Sequence, residues 1–303
     1  MTRHLLLVVC ALLPVAAAPR GSTPAALSSR LFDSERAYRD LVRQCDFGPR
    51  VPGTAAHDRC GEWLAKELGS RADELSVHRL RAKAGDTWVP LANIAATFNP
   101  EGTRRILLCA HWDTRPTADR DPDPAERGKP IIGANDGASG VAVLLEIARA
   151  LEDQPPKQRV TIVLFDGEDY GPSATDMFLG SRAFAESYAG PPVAWGVLLD
   201  MVGDRELRLP YEQYSFDRAP AVVDRIWGAA ARAGSEAFVR EPGPPVLDDH
   251  VFLLRAGIPC IDVIDFDYPH WHTRADTPDK CSADSLNQVG RAILQAIAED
   301  EAS

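Results

Sequence analysis

Three apolar runs in this sequence end in groups that bind cations or move protons. Ile106-Leu107-Leu108-Cys109-Ala110 leads into His111-Trp112-Asp113, Val160 to Phe165 into Asp166-Gly167-Glu168-Asp169, and Val197-Leu198-Leu199 into Asp200. A tight loop, Gly133-Ala134-Asn135-Asp136-Gly137-Ala138-Ser139-Gly140, surrounds one carboxylate with residues small enough for backbone to approach an ion. Near the end, Trp271-His272-Thr273 follows the last apolar run. If Asp136, Glu168, Asp169 and Asp200 share one cleft, each pair about 4 Å apart repels by roughly 4 kcal/mol at an effective dielectric near 20. Several such pairs exceed the margin by which a domain is stable. Either some carboxyls take up protons or a cation sits among them. His111 and His272 add neutral nitrogen, and a mixed nitrogen and oxygen set suits zinc better than magnesium or calcium. Singly, each group has an ordinary explanation: an Asp capping a turn, a packed His, a solvated acidic pair. Recurrence at the ends of three runs outweighs those explanations taken one by one.

Such groups meet only if the runs are parallel strands whose carboxyl ends share an edge. Leu91 to Phe98, Ile106 to Ala110, Val160 to Phe165, Val193 to Leu199 and Ile258 to Ile264 read as buried strands. Helical spacing near Gly140 to Glu152, Ser181 to Tyr188, Ala221 to Ala233, His250 to Ala256 and Ala283 to Glu299 separates most of them, after two earlier helices near Asp33 to Arg43 and His57 to Ser70. The alternation predicts an α/β fold, with a mainly parallel sheet covered by helices on both faces. No repeat or linker divides it, so residues 31–303 are expected to form one domain.

The chain has 303 residues, 45% hydrophobic and 25% charged, which excludes a disordered or fibrous protein. Its 33 Lys plus Arg against 44 Asp plus Glu leave a net charge of −11, which repels nucleic acid. Arg3, the apolar Leu5 to Leu13 and the small residues of Pro14-Val15-Ala16-Ala17-Ala18 have the layout of a secretory signal over residues 1–17, followed by a flexible lead-in over 18–30. The mature chain is therefore expected to be exported, to the periplasm or outside the cell, with no membrane span. Loss of Cys10 with the signal leaves Cys45, Cys60, Cys109, Cys260 and Cys281, an odd set without a Cys-x-x-Cys pair. That indicates neither a disulfide framework nor a zinc knuckle, and it leaves a Cys45 to Cys60 bridge open. Asp119, Asp121 and Asp123 alternate like the start of a calcium loop, but Pro124 and Pro130 stand where Gly and Glu are needed. Residues 114–132 read instead as an acidic surface loop near the cleft mouth.

Taken in order, His111-x-Asp113, Asn135-Asp136, Glu168-Asp169, Asp200 and His272-Thr273 resemble the zinc aminopeptidase superfamily. Within it the chain most resembles the zinc-dependent glutaminyl cyclases (glutaminyl-peptide cyclotransferases) of animals and bacteria. The matching stretches are Phe47-Gly48-Pro49-Arg50-Val51-Pro52-Gly53, His111-Trp112-Asp113-Thr114-Arg115-Pro116, Phe165-Asp166-Gly167-Glu168-Asp169-Tyr170-Gly171, Leu199-Asp200-Met201-Val202-Gly203, Asp248-Asp249-His250 and Trp271-His272-Thr273. The resemblance implies a three-layer α/β/α sandwich around a mixed, mainly parallel sheet. It implies that Asp136, Asp169 and His272 hold one catalytic zinc. His111 and Asp200 could complete a second site, with Asp113 orienting His111. In a cyclase, Glu168 moves a proton from the substrate amine to departing ammonia, Asp248 stands near the leaving nitrogen, Asp200 joins a hydrogen-bond network, and Trp271 forms a substrate wall. In the alternative, a zinc aminopeptidase, Glu168 activates a metal-bound water. Asp248 and Trp271 favour the cyclase, since the aminopeptidases usually carry Ser at the first of these positions. A non-catalytic binding domain would be expected to have lost ligands, and none is missing. Gly137 and Asp262 stand where animal cyclases have Ser and His, and resemble the bacterial branch instead. The implied substrates are peptides or proteins with N-terminal glutamine, and a monomer is expected.

Overall fold

The computed structural model describes residues 27–301, so the expected signal segment and Cys10 lie outside the described residues. Helix α1 (Ser34–Asp46) begins where the Asp33 carboxylate accepts the Arg36 N–H at 2.9 Å, and α2 (Ala55–Gly69) begins at the Thr54 cap. There follow β1 (Glu74–Ala84), β2 (Thr87–Phe98), β3 (Arg105–His111), α3 (Ala138–Asp153), β4 (Arg159–Phe165), α4 (Leu179–Ser187) and β5 (Trp195–Asp200). The chain continues through β6 (Leu209–Tyr211), α5 (Gln213–Arg218), α6 (Pro220–Ala233), β7 (Phe238–Pro242), α7 (Asp249–Arg255), β8 (Cys260–Ile264) and α8 (Ala283–Glu301).

The main sheet has the order β1-β2-β4-β3-β5-β8, while β6 and β7 form a separate pair. Strands β4, β3, β5 and β8 run parallel, and β2 and β1 add an antiparallel edge. The chain passes from β3 to β4 on one side and then to β5 on the other. A crevice therefore opens at the carboxyl end of β3.

Side chains alternate between the two faces, as a strand period of two requires. Ile106, Leu108, Ala110, Val160, Ile162 and Leu164 pack with α1, α3 and α8, whereas Leu107, Cys109, Val163 and Phe165 pack on the opposite face under α4 and α7. The result is a three-layer α/β/α sandwich around a mixed, mainly parallel sheet. Helix α3 is buried nearly all round. Gly140 lets it lie against β5, since a Cβ there would meet the Leu199 carbonyl.

One expectation needs correction. The flexible lead-in does not extend to residue 30: Leu27 is buried in the core and Ser29–Leu31 form a 3-10 turn. Cys45 and Cys60 are free thiols, each buried in the apolar core. Cys109 and Cys260 pack as small hydrophobes, as their strand positions suggested. No helix among the described residues is long and apolar enough to cross a membrane.

Candidate active site and metal centre

Four strand ends deliver the expected residues to the crevice. His111 is the last residue of β3 and Asp200 the last of β5; Glu168 and Asp169 lie just beyond β4; Asp136 precedes α3; His272 follows β8. Asp248 caps α7 through a 2.5 Å bond from the Asp249 N–H, and its side chain also lines the cleft. None of these seven residues is more than 8% exposed.

Two donor sets share Asp136. Asp136, Asp169 and His272 offer ligand atoms within 4.8 Å of one another, as do His111, Asp136 and Asp200. In the first set, His272 Nε2 lies 3.3 Å from Asp169 Oδ1 and 3.7 Å from Asp136 Oδ2. In the second, His111 Nε2 lies 3.2 Å from Asp136 Oδ1 and 3.1 Å from Asp200 Oδ1. A tetrahedron with bonds of about 2.0–2.2 Å has edges of about 3.3–3.6 Å; the His272 to Asp169 distance falls within that range and the His272 to Asp136 distance just outside it, and the donor types suit zinc. Asp136 Oδ2 and Asp169 Oδ2 are buried without a hydrogen-bond partner, which a cation would resolve.

Backbone conformation is strained in the same place. His272 and Met201 take left-handed φ values of 55° and 47°, unusual for residues with side chains. Gly137 has φ of 93°, and a Cβ there would come within 3.0 Å of the Asp113 carbonyl and the His111 ring.

Two buried carboxylates hold the loops by their amides. Asp113 accepts the N–H groups of Glu168 and Asp169 at 3.1 and 3.2 Å. Its distance to His111 Nδ1 is 3.6 Å, beyond hydrogen-bond reach, so its contacts orient the Glu168-Asp169 loop directly. Asp276 does the same on the other side, accepting the N–H groups of Asn135 and Asp136 at 2.9 and 3.1 Å and the Tyr268 hydroxyl at 2.8 Å.

Asp276 was not singled out in the sequence, nor was Arg115, whose guanidinium is buried and donates to Asp169 Oδ1 and Asp119 Oδ1, both at 2.7 Å. Asp119 in turn lies 3.3 Å from His272 Nδ1. The stretch 114–132 is thus only partly a surface loop: Asp119 reaches the site, and Asp121 is buried, accepting the Arg274 N–H. The Trp271 ring lies 4.0 Å from that of His272, tilted by 34°, and lines the cleft. Asp262 lies behind Asp248, with Oδ2 3.7 Å from His250 Nδ1 and neither oxygen hydrogen-bonded.

Electrostatics reflect the crowding. Burial pushes the Glu168 carboxyl well up, Asp169, Asp248 and Asp249 add to the rise, and His111 opposes it. Burial, reinforced by Asp200, raises Asp248 to about 7. Burial alone would lower His272, but Asp169, Asp119 and Asp136 outweigh it and raise the imidazole to about 9. The cleft is a trap for positive charge.

Known proteins are similar to this chain in sequence and fold. Residues 93–297 match the model of peptidase family M28. A glutaminyl cyclase of Porphyromonas gingivalis is similar in structure, with a TM-score of 0.86 and 39% identity over 89% of this chain and 99% of that one. A leucine aminopeptidase precursor of Bacteroides thetaiotaomicron VPI-5482 is similar to the same degree, with a TM-score of 0.86 and 39% identity over 88% and 97% of the two chains. The glutaminyl-peptide cyclotransferase of Gloydius blomhoffii is 30% identical over 239 residues, 65% of this chain and 63% of that one. The chain thus spans less than two thirds of the length of such curated relatives.

Proposed function

The chain belongs to peptidase family M28, and from that premise we propose that it is a zinc-dependent glutaminyl-peptide cyclotransferase. It converts N-terminal glutamine of peptides or proteins to pyroglutamate with release of ammonia. Asp136, Asp169 and His272 would hold one zinc ion. When bound, that zinc supplies a Lewis acid for the side-chain carbonyl of the glutamine.

The remaining chemistry falls to this chain's own residues. The substrate's α-amine attacks the side-chain carboxamide carbon, forming the ring C–N bond, and the bond to the amide nitrogen breaks. The Glu168 carboxylate takes the proton that the amine loses and returns it to the departing ammonia, so the enzyme ends as it began. Asp248, across the cleft, accepts a hydrogen bond from the leaving nitrogen, with Asp200 in the same network. The Trp271 ring forms the wall against which the glutamine folds back, and folding back lets an internal amine replace water as nucleophile.

One observation carries the choice of reaction. Asp248 lines the same cleft as Asp136, Glu168, Trp271 and His272, which supports the reading that a carboxylate receives the departing ammonia. The second donor set, His111 with Asp136 and Asp200, favours the alternative of a two-metal aminopeptidase, as does the family's name. Purified protein should release ammonia from a glutaminyl peptide and leave aminoacyl anilides intact. Anilide cleavage without ammonia would establish the peptidase instead. The reading includes export after removal of residues 1–17 and action as a monomer.

A further inference from the structure

We propose that Arg120 determines substrate specificity, selecting chains with a carboxylate one or two residues beyond the N-terminal glutamine. The proposal rests on the cyclase reading and names the substrate class of that site.

Arg120 is exposed but anchored. Its backbone N–H donates to the His272 carbonyl at 3.2 Å, and Asp119, next to it, lies 3.3 Å from the His272 ring. Its position relative to the metal centre is therefore set at two points. The guanidinium carbon stands 5.2 Å from the centroid of the Trp271 ring, and that ring lies 4.0 Å from His272. Arg120 so continues the wall that begins at the ligand.

The cleft is about 360 Å³, and its lining includes two cations, Arg115 and Arg120. Arg115 is buried and committed to Asp169 and Asp119. Arg120 has no carboxylate partner among the described residues, and its one charge-related contact there is the Trp271 face. Phe266, which packs against Trp271, and Leu247 also line the cleft and carry no charge to compete for an incoming anion. The cleft floor, with Glu168, Asp200 and Asp248, repels acidic peptides, so discrimination among side chains falls to Arg120.

With glutamine bound at the floor, each further residue of an extended chain advances about 3.3–3.6 Å. The first or second residue beyond it reaches Arg120. A guanidinium takes a carboxylate as a planar two-point partner. The carboxylate can come from an Asp or Glu side chain or from the free end of a dipeptide. At an exposed site the gain is about two- to fivefold in kcat/KM and declines with salt.

The test is ammonia release at low and high salt from Gln-Glu-Ala, Gln-Ala-Glu, Gln-Ala-Ala and Gln-Lys-Ala amides, and from Gln-Ala as free acid and as amide. The wild type should favour the acidic peptides over the neutral one by about two- to fivefold at low salt. Arg120→Ala should abolish the preference and Arg120→Glu should turn it toward lysine. Preference among the amides assigns the side chain as the source, and preference confined to the free acid assigns the chain terminus. A uniform fall in kcat with unchanged ratios would overturn the proposal and leave Arg120 as a brace for Trp271. Absence of ammonia from every peptide with the wild type would instead overturn the cyclase reading itself, and the proposal with it.

Discussion

In the proposed mechanism Glu168 touches the reaction through its side chain, while its backbone is held by Asp113, so the two roles can be separated by experiment. Glu168→Gln keeps the hydrogen bond from its backbone N–H to Asp113 and removes only the proton carrier. It should lower kcat by about 10²–10⁴-fold while one zinc per chain remains by elemental analysis; near-normal turnover would remove Glu168 from the mechanism. Asp276 is the converse, a residue that never meets substrate. Both its oxygens accept amides of the Asn135-Asp136 turn, and Asn at this position would point an NH₂ at one of those N–H groups. Asp276→Asn should therefore weaken zinc binding by about 10–100-fold, the range for groups that orient a metal ligand. Competition with a chromogenic chelator reads this directly. An unchanged affinity would show that the turn holds its shape without Asp276.

Whole elements are positioned by equally local devices. Helix α3 is capped at Gly137, whose φ of 93° points the chain from Asp136, a proposed ligand, into the helix. Gly137→Ala should destabilise the protein by about 1–3 kcal/mol in denaturant melts, since its Cβ would also press on the His111 ring. Glu212 fastens α5 to α7: it accepts the N–H groups of Tyr214, Ser215 and Val246 at 2.9, 2.6 and 2.9 Å, and lies 3.1 Å from His250 Nε2. Burial alone would raise its carboxyl, but His250, the Ser215 hydroxyl and the Val246 amide outweigh it and hold it at about 2, below the ordinary 4.5. The unfolded chain therefore takes up this proton first as pH falls. The stability from Glu212 is complete above about pH 4.5 and drains away toward pH 2. Glu212→Gln should melt lower at neutral pH and show a shallower acid limb; parallel melting curves across that range would contradict this.

These devices also mark where the sequence was legible. Strands β3, β4 and β5 are covered on both faces, so they appear as apolar runs that end in His111, in Glu168-Asp169 and in Asp200, whereas Asp136 is marked by its loop of small residues and His272 lies beyond the end of β8. Strand β1 was missed because it is mostly exposed and pairs only with β2, so charged residues alternate through it without an apolar signature. Asp276 carries no such signal because it acts on backbone amides about 140 positions away, and the tie from Arg115 to Asp169 and the approach of Asp119 to His272 join positions that no spacing in the sequence links; the alternation of Asp119 with Asp121 and Asp123 pointed to a surface loop instead.

At the scale of the molecule, an acidic protein of net charge −11 gathers carboxylates and imidazoles at one sheet edge, while its stability comes from apolar layers on the two sheet faces. The two demands are separate in space, and this predicts how the protein responds to losing its metal. Chelation removes the positive charge that offsets Asp136, Asp169 and their neighbours but leaves the layered core intact, so the metal-free protein should stay folded, with unchanged far-ultraviolet circular dichroism. Its melting temperature should nevertheless fall. Zinc at about a thousand times its dissociation constant stabilises by about 4 kcal/mol, and a domain of this size shifts by about 2–4 °C per kcal/mol. Calorimetry should therefore show a rise of about 10 °C when zinc is restored, and magnesium should not reproduce it, because two of the candidate donors are imidazoles. A melting temperature indifferent to zinc would mean that the carboxylates are neutralised by shared protons instead, and the metal centre, with the chemistry assigned to it, would have to be abandoned.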